Sequence, residues 1–160
     1  MAAENLSHID SEGNANMVDV SHKEITLRIA KASGKVIFPA SVFDQLTKQN
    51  FLGKKGSIIQ TAVIAGIQAA KKTSELIPLC HPLALKDIQI KISSDTNNHS
   101  LEILSMVKCQ GQTGVEMEAL TATSVAALTI YDMTKAMSHD ILITDIELKE
   151  KSGGKHTIKK

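Results

Sequence analysis

At 160 residues the chain suits one domain with one core, and its 42% apolar and 22% charged content excludes general disorder. A formal charge of +1 gives no global attraction to nucleic acid or to an anionic membrane, so any anion site must be local. No apolar run approaches the roughly 20 residues of a membrane-spanning helix, and the two cysteines, Cys80 and Cys109, make neither a disulfide framework nor a zinc-type pair, which points to a reducing cytoplasm.

In chain order, Met1 to Ser21 is polar, and its acidic residues Glu4, Asp10, Glu12 and Asp19 argue against a signal peptide. Residues 1–22 are therefore expected to form an N-terminal arm. Glu24 to Ala30 alternates, with Ile25, Leu27 and Ile29 expected inward and Thr26, Arg28 and Ala30 outward, in a strand continuing to Ile37. Pro39 and Ser41 open a short helix through Lys48. A glycine-containing loop with Lys54 and Lys55 comes next, then a helix capped by Ser57 and expected to reach about Glu75, ahead of Pro78. Its small residues Ala62, Ala65, Gly66 and Ala69 share one stripe that lets another backbone approach, and so much burial suggests a neighbouring subunit.

Asp87 to Ser93 alternates with Ile88, Ile90 and Ile92 inward, and the turn residues Asp95 to Asn98 join it to a strand from Leu101 to Cys109. A helix from about Glu118 to Met137 and a strand from Ile141 to Leu148 complete the domain, expected over residues 23–150. Residues 151–160 are a basic, glycine-containing tail. The order strand, helix, helix, strand, strand, helix, strand predicts an α+β fold, a ferredoxin-like antiparallel sheet with helices packed on one face.

Some charges lie where water is not expected. On the last helix, Leu120, Ala127, Leu128 and Tyr131 predict an apolar stripe that runs straight into Asp132 and Lys135, which are three apart and able to touch. Such a pair is either an ordinary helical ion pair or a lysine tuned for proton transfer. Glu116 and Glu118, if extended, share a face and repel each other, which raises one pKa; as helix N-terminal acids they favour the dipole instead. Cys80 and His81 are adjacent, so their side chains diverge and do not form a nucleophile–base pair. The six histidines show no metal-ligand spacing. Lys54 and Lys55 before a helix N-terminus, Arg28 on a strand, and Lys151 and Lys155 around Ser152-Gly153-Gly154 are candidate anion contacts, although each lysine taken singly reads better as solvated surface.

The motifs M-V-D-V-S (Met17 to Ser21), I-A-G-I-Q-A-A-K (Ile64 to Lys71), L-I-P-L-C-H-P-L (Leu76 to Leu83), T-G-V-E-M-E-A-L-T-A (Thr113 to Ala122), A-A-L-T-I-Y-D-M-T-K-A (Ala126 to Ala136) and K-S-G-G-K (Lys151 to Lys155) cover nearly the whole chain. In these the chain resembles the molybdenum cofactor biosynthesis protein C (MoaC) family, the cyclic pyranopterin monophosphate synthases. The resemblance implies a lyase that converts the cyclised dihydro-GTP intermediate of a preceding radical enzyme to cyclic pyranopterin monophosphate and pyrophosphate. It also implies a homohexamer, a trimer of dimers, with active sites at a subunit interface, and no cofactor, with Mg²⁺ on the pyrophosphate left open. Neither nucleic acid nor a membrane is an expected partner.

By the same resemblance Asp132, Lys135 and Lys55 match catalytic positions. Arg28, Cys80, His81, Glu116, Met117, Glu118 and Lys151 match substrate-binding positions. Lys135 with Asp132 is expected to move protons, its pKa lowered by burial beside other cations. Lys55, Lys151 and Arg28 are expected to hold the triphosphate, and His81 with the two glutamates the ring. The chain departs from the family pattern at Ser57, at Gln112, where a basic residue is usual, and at His156-Thr157 in the tail. Rival readings are an RNA-binding module, disfavoured because the strands lack aromatic residues for stacking, a regulatory sensor, and an oligomer that has lost catalysis.

Overall fold

A computed structural model of the chain describes residues 7–160. The expected arm falls partly on residues 1–6, outside that range. Residues 7–25 hold turns and one isolated bridge, between Ile9 and Ala15. Then come β1 (Thr26–Ile37), α1 (Ala40–Lys48), the two-residue strands β2 (Leu52–Gly53) and β3 (Gly56–Ser57), α2 (Ile58–Lys71) and the short α3 (Thr73–Leu76). β4 (Leu85–Asp95) and β5 (Ser100–Gly111) precede α4 (Glu116–Thr134), β6 (Leu142–Ser152) and β7 (Ile158–Lys159).

The main sheet runs β4-β5-β1-β6-β7 and every pairing in it is antiparallel. α4 packs on β1, β5 and β6, and α2 packs on α4 and β4. Taken in chain order, the four long strands lie second, third, first, fourth, with the long helices on one face, which is the α+β arrangement expected from the sequence.

The buried face of β1 is not the one its hydropathy predicts. Ala30, Ala32 and Val36 are fully buried, whereas Ile25 and Leu27 are 66% and 54% exposed. The reason is distance. A Cβ on Gly34 would lie 2.8 Å from Thr123 Cγ2, so α4 rides too close to β1 for large side chains beneath it. The larger aliphatics are displaced to the opposite face. Over β4 the room is made on the helix side, by Gly66 of α2, and Ile90 and Ile92 pack against the core as their alternation predicts.

α4 obeys the same rule. Most of its buried residues are small (Ala119, Thr121, Ala122, Thr123, Ala126, Ala127 and Thr134, beside Glu118 and Ile130), and Leu128, expected in the apolar stripe, is 57% exposed. Tyr131 packs partly buried against the core just before Asp132. The small stripe of α2 is explained by α4 of the same chain: a Cβ on Gly66 would overlap Ile90 and lie 2.8 Å from the Ala122 carbonyl oxygen. No second subunit is needed to account for it.

α2 ends earlier than expected, at Lys71, where Thr73 Oγ1 donates to the carbonyls of Ala69 and Ala70 at 3.3 and 3.0 Å. At its start Ser57 Oγ accepts from the Gln60 backbone amide at 3.2 Å. Ser57→Ala removes that cap and is expected to lower stability by about 1 kcal/mol, read from denaturant unfolding. Phe43 packs against Phe38 and Phe51 with ring centroids 6.2 and 6.0 Å apart. Asn50 and Phe51 both take left-handed backbone, φ 51° and 55°. That turn, anchored by the buried Phe51 ring, aims the β2–β3 hairpin whose tip is Lys54-Lys55.

Candidate active site

The first turn of α4 sets one group of the predicted residues. The helix begins at Glu116, two residues earlier than expected, so Glu116 and Glu118 are helical and point nearly opposite ways. They do not share an extended face. Glu116 turns to β6, where its Oε1 accepts from Lys151 Nζ at 2.9 Å. Gly114 makes this possible, because a side chain there would overlap the Glu116 carboxylate. Glu118 turns inward and is only 4% exposed. Burial, with a smaller push from Glu116, raises its pKa to about 7, against a downward pull from its own backbone amide.

Two cavities adjoin this turn, with Glu116 in the wall of both. The larger, about 640 Å³, is lined by Arg28, Lys151, Lys155, Gln112, Gly153 and Gly154, among others. Arg28 Nε donates to the Gly111 carbonyl at 3.1 Å and its Nη2 to the Gln112 carbonyl at 3.3 Å, which fixes the guanidinium and leaves donors over. Gly153 has φ 90°, and any side chain there would overlap the Leu27 carbonyl, so the Lys151–Lys155 turn lies flat against β1.

The smaller cavity, about 340 Å³, is lined by Cys80, His81, Met117 and Glu118 and by arm residues including Val18 and Val20. His81 Nε2 is 2.8 Å from the Val18 carbonyl oxygen. A carbonyl only accepts, so Nε2 carries the hydrogen, and in the neutral ring Nδ1 is left as an acceptor. Burial, then Glu118, raises the pKa of both thiols, Cys80 and Cys109, so neither is an activated nucleophile.

Arm residues are the part of the site that motif reading missed. Gln112 Nε2 donates to the carbonyls of Ser21 and Lys23 at 3.0 and 2.9 Å, and the turn it holds brings His22 and Lys23 to the larger cavity. The M-V-D-V-S motif marked this segment, but nothing in sequence spacing links it to residues 63 to 91 positions away.

The remaining predicted residues are elsewhere. Asp132 Oδ1 and Lys135 Nζ are 2.7 Å apart at the far end of α4, both more than half exposed. Lys55, on the β2–β3 tip, is near enough to help lower the Asp132 pKa, although the Lys135 hydrogen bond and charge act more strongly. Lys135 is shifted opposite to expectation: the Asp132 hydrogen bond and charge raise its pKa, and in the single chain there is little burial to oppose them. From Glu116 to Asp132 is sixteen residues of one helix, about 24 Å. Lys55 is therefore separated from Arg28 and Lys151, with which it was grouped. One chain thus holds the predicted residues in two groups, one at each end of α4.

Among the described residues no group of three His, Cys, Asp or Glu side chains is placed to hold a metal ion, and no helix is long and apolar enough to cross a membrane.

Comparison with known proteins matches residues 17–154 to a model described as the MoaC family. The chain is 51% identical over 154 residues to a cyclic pyranopterin monophosphate synthase of Staphylococcus epidermidis, covering 94% of each. It is 50% identical over 150 residues to a protein of the same name from Helicobacter hepaticus, covering 94% of this chain and 93% of that one. It is also 50% identical over 154 residues to molybdenum cofactor biosynthesis protein 1 of Homo sapiens, covering 96% of this chain and 24% of the human protein.

Proposed function

The chain belongs to the MoaC family, and from that premise we propose that it is a cyclic pyranopterin monophosphate synthase of molybdenum cofactor biosynthesis, as its relatives are named. Its substrate is the cyclised dihydro-GTP intermediate, 3′,8-cyclo-7,8-dihydroguanosine 5′-triphosphate. It rearranges the rings, closes the cyclic phosphate and releases pyrophosphate. The observation that supports this most is a cavity with fixed cations adjoining a second with a buried carboxyl and a histidine, through the shared wall of Glu116. A triphosphate and a purine-derived ring fit side by side in that pair.

In this reading Arg28 and Lys151 bind phosphate oxygens and offset the charge that develops on the leaving pyrophosphate. His81, Cys80, Met117, Glu116 and Glu118 surround the ring. Asp132 and Lys135 move protons, and Lys55 works beside them. In the single chain the Asp132 hydrogen bond and charge favour the charged form of Lys135, which suits it to donate a proton to the substrate. No cofactor takes part, and Mg²⁺, if used, would accompany the pyrophosphate.

The 24 Å between the half-sites gives the assembly a purpose: the C-terminal end of α4 from one copy faces the N-terminal end from another, and each active site takes residues from both. The oligomer is a hexamer built as a trimer of dimers, working in the cytoplasm.

The test is a coupled assay on the cyclised intermediate, reading pyrophosphate and oxidised pterin together. Both products are expected, in equal amounts. Tight binding without either product overturns the enzyme reading in favour of a sensor.

A further inference from the structure

The ladder between β1 and β5 ends at Thr26 and Gly111, and the chain leaves the sheet on both sides of that pair. Gln112 follows Gly111, and the arm precedes Thr26. Among the described residues no backbone hydrogen bond joins the two. The Gln112 side chain does so instead. A primary amide carries two N–H donors on one nitrogen, and Nε2 reaches the Ser21 carbonyl at 3.0 Å and the Lys23 carbonyl at 2.9 Å. Both carbonyls belong to a turn that is closed on itself. The Lys23 amide donates to the Val20 carbonyl at 3.0 Å, and the Ser21 amide to Asp19 Oδ1 at 2.8 Å.

The same residue steadies another wall of the larger cavity. Its carbonyl accepts from Arg28 Nη2 at 3.3 Å, while Nε is held by Gly111. On the other side Gly154 lies so close that a Cβ there would come within 2.7 Å of Nη1. Arg28 is therefore fixed whether or not the arm is in place. The arm turn has no such support. His22 and Lys23 line the cavity, yet neither joins an ion pair among the described residues. The His81 contact pins the arm further back, at Val18.

We infer that Gln112 is a positioning residue: it latches the arm turn to the wall that holds Arg28, so that arm closure and the binding of a phosphate chain form one coupled equilibrium. This rests on the reading that the larger cavity takes the phosphates, and deepens it by naming what assembles that cavity. Glutamine brings no charge of its own, so it acts through what it holds. Losing two neutral hydrogen bonds is enough to shift an affinity about tenfold. Coupling is reciprocal, so an anion that binds the latched arm about tenfold more tightly must protect that arm by the same factor.

The probe is inorganic pyrophosphate, titrated by calorimetry into the whole protein, with hydrogen exchange followed in the peptide spanning Val18 to Glu24. In the wild type, saturating pyrophosphate is expected to slow exchange of this peptide about tenfold. Gln112→Met keeps the length and removes both donors. It is expected to bind pyrophosphate about tenfold more weakly, and its arm peptide to exchange faster in the free protein. Gln112→Lys offers N–H donors again and is expected to return that exchange toward the wild-type rate. A methionine variant with weaker binding but unchanged arm exchange overturns the inference, because Gln112 would then touch the anion itself. Faster exchange with unchanged affinity overturns it as well. Either result leaves the anion-cavity reading intact. Wild-type protein that does not bind pyrophosphate ends that reading, and the inference with it. If the variants do not fold, the wild type decides alone: arm exchange unchanged at saturating pyrophosphate overturns the inference.

Discussion

Lys135→Ala and Lys151→Ala, each alone, are expected to lose about 10³-fold in turnover, and heteromers containing one subunit of each are expected to recover about half of the wild-type activity per dimer. The first effect has the size usual for removing a proton donor or a charge stabiliser. The second follows from where the two lysines are. Lys135 ends α4, while Lys151 pairs with Glu116 at its beginning, about 24 Å away. If a site takes Lys135 from one copy and Lys151 from another, a mixed pair has one intact site and one doubly damaged one. If each chain completed its own site, mixing two dead subunits would restore nothing. The measurement is pyrophosphate release from heteromers purified through two different tags, and activity no higher than that of the parents would sink the shared-site reading.

Gly66→Ala is expected to destabilise the fold by about 2 kcal/mol, lowering Tm by roughly 4–8 °C. On an exposed helix the change would be favourable by roughly 1 kcal/mol. Here the added methyl meets the Ile90 side chain, which can turn aside, and the Ala122 carbonyl oxygen at 2.8 Å, which cannot without moving α4. The overpacking term exceeds the propensity gain, so the sign reverses. Thermal unfolding of the variant checks it, and an unchanged or raised Tm would mean that α2 and α4 separate more readily than this packing implies.

Those two sites show what the sequence makes legible. The order of elements, the ferredoxin-like sheet and the inward isoleucines of β4 follow from periodicity, because each depends on neighbours in the chain. Small residues in α2 announced a close backbone, but not whose. The face of β1 was read backwards because hydropathy ranks Leu27 above Ala30, while the close approach of α4 admits only the smaller. Glu116 and Glu118 were noticed as a pair. Their division into one exposed to Lys151 and one buried depends on where α4 begins, to within two residues.

For the candidate site, the motifs picked out side chains that do gather, at two places. The distance between those places was available from the helix length alone. The arm contacts were not, since His81 to Val18 and Gln112 to Ser21 join residues far apart in the chain through backbone carbonyls that carry no side-chain identity. Nor was the direction of the Lys135 shift. Charge partners can be guessed from spacing, whereas solvent exposure belongs to the fold and to whatever covers it.

Tyr131, packed against the core with Asp132 following it, is the chain's single tyrosine, and there is no tryptophan. Ultraviolet absorbance and emission of the protein beyond its three phenylalanines therefore come from one ring, beside the Asp132–Lys135 pair at the end of α4. The molecule carries its own optical probe at a known address. Any event that covers that end, whether a ligand arriving or a second subunit closing over it, is readable without a label.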